Sequence, residues 1–337
     1  MLLTFVEHDR GALLATAGEA LTVARAVATA QDEGVEAVVL GAAGAAAVGE
    51  LATHGVERVH VAEADVLDDD APEAWGHALI ELVERLQPSG LLASGTAVGN
   101  EVLAHVAAGL DAPLATACTE ITGGPVWTLT RLRWGGILLE DARLAAPVRL
   151  ATVAPHAVDP EPAAAPSAPI VERHAIDLPE WLGRTRVVQR TVAAEKVSLA
   201  TAPVVVSGGR GVGSAEGFGM LEELAELTGG AVGCSRVATS NGWRPHADQV
   251  GQTGTRVAPD LYLACGISGA TQHWVGCMNS GRILAINTDP EAPMVTRADD
   301  AVIGDVHEVV PAVVAEIRRR RAAPVPAARA AAHAAQR

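Results

Sequence analysis

At 337 residues the chain has room for two domains of ordinary size, and 49% hydrophobic residues allow each a buried core. Only nine residues are aromatic, six of them tryptophan, which leaves no stacking platform for single-stranded nucleic acid. A formal net charge of −15 likewise opposes phosphate-backbone binding.

That charge is uneven. Residues 1–190 carry 26 acids and 12 arginines, a net of −14, whereas residues 191–337 carry 14 acids and 13 bases. Two domains with different surfaces are therefore expected: 1–190, then 191–320, with 321–337 as a disordered tail. No apolar run reaches the roughly 18 residues of a membrane span, so no membrane insertion is expected. Met1–Asp9 lacks a basic leader or a transit pattern. Cys118, Cys234, Cys265 and Cys277 form no CxxC. Reduced thiols in a bacterial cytoplasm are expected, with neither disulfides nor a metal site.

The first half alternates strand-like runs (Leu2–Val6, Ala37–Leu40, Val59–Ala62, Gly90–Ser94) with helical patterns near 17–33, 43–54, 72–87 and 98–109. Such alternation predicts βαβ units and a parallel sheet. Val126–Leu132 and Val148–Val153 read as further strands at the sheet edge. Residues 155–169 hold five prolines and read as a loop, and 186–202 as the crossing between domains. The second half restarts the alternation: Pro203–Ser207, a helix over 215–228, Ala231–Cys234, Leu261–Gly266, Arg282–Asn287, Ala301–Ile303 and a last helix near 306–320. Its four arginines, Arg318–Arg321, suit a helix C-terminus. The fold class is thus α/β, two domains of parallel-sheet βαβ units.

Polar and glycine residues gather where the later strands should end, the edge at which open α/β sheets bind ligands. Val206-Ser-Gly-Gly-Arg-Gly-Val-Gly-Ser214 puts glycines and Arg210 after a strand, suiting a phosphate. Gly233-Cys-Ser-Arg236 could be a capping serine beside a surface arginine. Gln249-Val-Gly-Gln-Thr-Gly254 offers two amides and a hydroxyl. Gly266-Ile-Ser-Gly-Ala-Thr-Gln-His273 reads as a glycine turn opening a helix.

Two readings of another class stay open on these residues. A nucleotide-dependent oxidoreductase could use the near-fingerprint at 209–214, but the carboxylate it needs about 20 residues on is missing from Gly229-Gly-Ala-Val-Gly-Cys234. A non-redox nucleotide-binding module is the other. Asp65 and Asp68–Asp70 read as a solvated face, and Asn100-Glu101 as a helix start.

Together, the segments resemble the electron-transferring flavoprotein alpha-subunit family over about 110 residues from Val204. The matching words are Val-Ser-Gly-Gly-Arg-Gly (206–211), Ser235-Arg236, Gly-Trp-Arg-Pro (242–245), Gln-Val-Gly-Gln-Thr-Gly (249–254), Gly-Ile-Ser-Gly-Ala (266–270), Gln272-His273, Ala-Ile-Asn (285–287) and Asp-Pro-Glu-Ala-Pro (289–293). Phe5-Val-Glu-His8 and Ser94-Gly-Thr-Ala-Val-Gly-Asn100 extend the resemblance into the first half. It implies a Rossmann-like (DHS-like) C-terminal domain holding FAD, and a redox carrier without substrate chemistry of its own. Its partners would be a beta subunit, acyl-CoA dehydrogenase-type donors and a quinone oxidoreductase or a pathway-specific acceptor. Arg210, Ser235, Arg236, Val250, Gly251, Gln252, Thr253, Ser268, Gly269, Ala270, Thr271, Gln272, His273, Asn287, Asp305 and Val306 fall on FAD-contact positions. Arg236, Thr253 and His273 fall beside the flavin ring, Asn287 and Asp305 on the adenosine side. Negative charge collecting along the flavin N1 and C2=O calls for a cation or donor there, which Arg236 and His273 would supply. Ser240, Thr288 and Trp274–Met278 depart from the family's usual residues.

Overall fold

A computed structural model describes residues 1–189 and 198–322. The described residues form two compact units that divide between 189 and 198. Part of the expected crossing (190–197) and nearly all of the expected tail (323–337) lie outside the described residues.

In the first unit the chain runs β1 (Leu2–Phe5), α1 (Ala15–Ala30), β2 (Val35–Leu40), α2 (Val48–Thr53), β3 (Arg58–Glu63), α3 (Pro72–Leu86), β4 (Gly90–Ser94), α4 (Ala97–Gly109), β5 (Leu114–Thr122), β6 (Trp127–Arg133), β7 (Leu138–Leu144), β8 (Arg149–Val153) and β9 (Ile170–Ala175). They form one nine-stranded sheet, ordered β9-β3-β2-β1-β4-β8-β5-β6-β7. Neighbouring strands pair in parallel except β5–β6 and β6–β7, an antiparallel meander in which β6 alone runs against the rest. β1 and β4 are buried at every residue, the mark of central parallel strands covered on both faces. Leu2, Val39, Val61 and Leu92 pack under α1 on one face, while Leu3, Phe5, Val38 and Leu91 meet α3 and α4 on the other. Local signals set the helix ends: Pro72 opens α3, left-handed Gln87 closes it, and the Thr96 hydroxyl accepts the Gly99 N–H to cap α4.

The edge expectation is corrected for Val126–Leu132, which is β6 and lies between β5 and β7, and for Val148–Val153. The latter segment is β8, and it lies inside the sheet between β4 and β5. The sheet edges are β7 and β9. The proline-rich 155–169 has no regular structure and is tied to α1 and α2 by bonds such as Arg25 Nη2 to the Glu161 carbonyl, 2.6 Å.

The second unit holds β10 (Val204–Gly208), α5 (Gly219–Thr228), β11 (Ala231–Cys234), α6 (Arg236–Ser240), β12 (Leu261–Cys265), α7 (Thr271–Trp274), β13 (Ile283–Asn287), α8 (Pro293–Arg297), β14 (Asp300–Ile303) and α9 (Val306–Ala322). Its sheet is wholly parallel, ordered β11-β10-β12-β13-β14. Leu221, Leu224, Val310 and Val314 from α5 and α9 pack on one face; Val250, Ile267, Cys277 and Met294 cover the other. Arg318 pairs with Glu223, and Arg319 and Arg320 pair with Glu316, so the arginine run serves the end of α9. Among the described residues no helix is long and apolar enough to cross a membrane.

Candidate functional site

All five strands of the second sheet end at one edge, and the residues just beyond them line a single cleft of about 840 Å³. Arg210 and Gly211 follow β10, Ser235 and Arg236 follow β11, and Gly266 to Ala270 with Gln272 and His273 follow β12. Asn287 to Asp289 end β13, and Gly304 to His307 follow β14. The strand order reverses between β10 and β12, the switch point where such sheets open a crevice.

Backbone approach at that point is close. Gly266 has φ +62, and a Cβ there would lie 2.7 Å from the Gly211 Cα. The Gly211 N–H donates to the Gly266 carbonyl at 3.0 Å, locking the two loops together. A side chain at either glycine would push them apart.

Gln249–Thr253 closes another wall. Gln249 is buried; its amide donates to Thr253 Oγ1 at 2.8 Å and accepts from Thr239 Oγ1 at 2.9 Å. It therefore holds Thr253 in place. Ser235 Oγ is buried at the cleft wall, has no hydrogen-bond partner among the described residues, and does not cap α6. A buried polar group without a partner in a cleft calls for a ligand atom. Arg210 and Arg236 are exposed, and neither pairs with a carboxylate among the described residues.

His273 is buried, with Nε2 2.8 Å from the hydroxyl of Tyr262, the only tyrosine in the chain. Burial pushes the imidazole down to about 4, opposed by the nearby Val250 backbone, although no hydrogen bond of normal geometry reaches Nδ1. The ring is thus neutral at neutral pH. Burial also raises the Tyr262 phenol well above its usual value, so it keeps its proton.

The cleft gathers fifteen of the sixteen residues singled out in the sequence. Thr271 is the exception: it opens α7 with an exposed side chain and does not line the cleft. Two of the contributors also have local structural work. Asn287 Nδ2 donates to the Ile267 carbonyl at 2.9 Å, and Asp305 Oδ1 accepts the His307 N–H at 2.9 Å at the start of α9. Sequence reasoning missed Asp289 and His307 as lining residues. It noticed Ser240 and Thr288 only as departures from a pattern, yet both line the cleft. For His307 no sequence signal stood out, because a histidine in a first helical turn looks like any surface residue.

The site suits a flavin nucleotide on its own chemistry. The Arg210 guanidinium, unpaired among the described residues, and exposed loop backbone suit a diphosphate, and Arg236 with Val237, Val250 and Ile267 suits a ring system that takes up negative charge. The acidic run of the first unit is engaged elsewhere: Asp68 Oδ1 accepts the Ala42 N–H at 2.8 Å and Asp69 pairs with Arg186 at 3.2 Å.

In the first unit, Phe5–His8 and Ser94–Asn100 meet. Thr96 Oγ1 donates to both Glu7 carboxylate oxygens, at 2.7 and 2.9 Å. Burial raises the Glu7 carboxyl to about 7, against the lowering effect of that hydroxyl.

Comparison with known proteins agrees with both regions. Residues 2–178 match the electron transfer flavoprotein domain, and residues 198–278 match the electron transfer flavoprotein FAD-binding domain. The chain is 36% identical over 324 residues to the electron transfer flavoprotein subunit alpha of Mycobacterium leprae, covering 95% of this chain and 98% of the other. It is 34% identical over 321 residues to the subunit of that name from Thermoanaerobacterium thermosaccharolyticum, covering 94% and 97%. With that of Bacillus subtilis it shares 37% over 274 residues, 80% and 83% of the two chains.

Proposed function

The chain belongs to the electron transfer flavoprotein alpha-subunit family, a carrier of electrons with an FAD-binding domain rather than an enzyme, and from that premise we propose that its FAD lies in the strand-end cleft, held by the residues named above. The observation that carries this reading is the convergence of those residues, drawn from five strand ends, on one cleft. FAD, when bound, supplies the ability to take up and release electrons singly.

The chain's own groups divide the work of holding it. Arg210, Ser235 and the Ser268–Gln272 turn hold the diphosphate and ribityl end, and Asn287, Asp305 and Val306 hold the adenosine end. Arg236 supplies positive charge beside the ring. The Tyr262 hydroxyl, 2.8 Å from His273 Nε2, would as donor keep the imidazole hydrogen on the buried Nδ1 beside the Val250 backbone. No nucleophile or acid–base pair is needed, which suits a carrier.

We further propose a heterodimer with a beta subunit, working in a bacterial cytoplasm between acyl-CoA dehydrogenase-type donors and a quinone oxidoreductase or a pathway-specific acceptor. Four buried free cysteines are consistent with a reducing compartment. The test of the cofactor site is Arg210→Ala in the purified flavoprotein. FAD affinity should fall about tenfold to hundredfold, the loss of one charge-assisted hydrogen bond, while the visible flavin spectrum keeps its shape. Unchanged affinity would remove Arg210 from the phosphate site.

A further inference from the structure

Outside the cleft, one polar cluster is built like a ligand sphere, near the β9 edge of the first unit's sheet. β3 and β9 run parallel with His60 opposite Glu172 and Ala62 opposite His174. Residues two apart on a strand share a face, so His60, Glu172 and His174 converge there. Theirs are His, Cys, Asp or Glu ligand atoms that come together as a group of three among the described residues.

The distances are specific. His60 Nδ1 lies 2.9 Å from His174 Nε2, and Glu172 Oε2 lies 3.8 and 4.0 Å from those two atoms. A point equidistant from three atoms so spaced is about 2.1 Å from each, the length of a zinc–nitrogen or zinc–oxygen bond. Glu172 Oε1 is turned away to Arg58, which aims Oε2 at the imidazoles without reaching hydrogen-bond distance of either. The far side of His60 is also arranged: Nε2 donates to Glu36 at 2.7 Å. A carboxylate behind a ligating imidazole fixes its tautomer and raises its basicity. His60 is fully buried and Glu172 is 41% exposed, which gives a rigid inner ligand and an outer one open to entry.

We propose that His60, Glu172 and His174 bind a divalent first-row metal ion, zinc above all, as a clip between β3 and the edge strand β9. Two imidazoles and one carboxylate select such ions over magnesium or calcium, and leave a position for water. One contact must give way. Arg85 Nη1 lies 3.3 Å from His174 Nδ1, and a ring that ligates through Nε2 carries its hydrogen on Nδ1. Arg85 is 47% exposed, so it can turn into solvent and free that hydrogen. Without metal the same groups form a hydrogen-bonded relay from Arg85 through both imidazoles to Glu36.

The full-length protein, made without a polyhistidine tag and stripped with a chelator, is titrated with zinc by calorimetry and with cobalt by visible absorption. One equivalent per chain is expected, with the cobalt d–d bands of a four-coordinate site and a zinc-dependent rise in melting temperature. His174→Asn and Glu172→Gln, both at partly exposed positions, should each weaken zinc at least tenfold and abolish the melting shift. Glu36→Gln should weaken it about tenfold to hundredfold. Less than stoichiometric binding by folded wild type at saturating zinc overturns the proposal. So does a stoichiometric site unaffected by His174→Asn and Glu172→Gln, which would put the metal elsewhere. FAD content is not a readout, so the outcome is independent of the cofactor reading.

Discussion

Arg236 occupies the first position of α6, where a cation meets the positive end of the helix dipole and gains nothing from the helix. Exposed and without a carboxylate partner among the described residues, it answers instead to whatever the cleft holds. A unit charge ~4 Å from developing negative charge, at an effective dielectric of ~20, is worth roughly 4 kcal/mol. Solvent access reduces that to a shift on the order of 100 mV. Arg236→Ala should therefore lower the first reduction potential of bound FAD by up to about this amount, and Arg236→Lys by less, since Lys keeps the charge and loses the planar guanidinium. Spectroelectrochemical titration at one ionic strength checks it; equal potentials in all three proteins would place Arg236 away from the ring. At this scale the sequence disclosed the residues that face the cleft but not those behind them. Tyr262 is recognisable only once strand β12 is folded, and Gln249, quoted in the 249–254 word, shows its hold on Thr253 only then, because their partners are set by tertiary packing. Thr271 stands apart: it falls between two recognised words, and at the start of α7 its side chain is exposed and does not line the cleft.

At the junction of β1 and α4, Glu7 joins two segments 89 residues apart through Thr96. Its carboxyl, raised from 4.5 to about 7, binds more protons in the native than in the unfolded state between those values. The native state is therefore favoured at the acid end of that window and loses stability as pH rises through it. Glu7→Gln removes this dependence. Its stability relative to wild type should improve by about 2–3 kcal/mol between pH 5 and pH 8, read from denaturant melts at both pH values. Glu19, raised to about 7 by the same burial, gives the same direction, so wild type and the single variant should both retain part of the slope. A constant difference between Glu7→Gln and wild type across pH would show that Glu7 ionises freely in the fold. The elements that the sequence disclosed were those with period and caps, such as α3, or with a fully apolar run, such as β4. β5 and β9 were not seen. Leu114-Ala-Thr-Ala-Cys-Thr-Glu-Ile-Thr122 mixes polar and apolar residues, and Ile170-Val-Glu-Arg-His-Ala175, an edge strand, is half polar with its three polar residues in a row. β8 was seen as a strand but misplaced, since neighbours in a sheet are chosen by distant partners.

Charge and apolar exposure set the behaviour of the whole chain. The first 190 residues carry nearly all the net negative charge. Yet the β6–β7 hairpin of the same unit exposes Trp134 at 79% and Leu139 at 69%, with Ile137 and Leu138 beside them. Apolar side chains so grouped mark a contact surface. Expressed alone, the chain should aggregate or emerge with little FAD, and co-expression with a beta subunit should give a 1:1 complex with one FAD on this chain, measured by light scattering and absorbance. A fully flavinylated, soluble monomer would overturn the partner reading. The interior position of β8 has a further consequence, for the ribosome. β4, complete at residue 94, pairs with β1 on one side only until residues 149–153 have been made, and the β5–β6–β7 meander can join the sheet only through β8. A chain ending before residue 149 thus leaves β4 and β5 each with one edge that has no strand to pair with. Residues 149–153 are the strand that pairs with both.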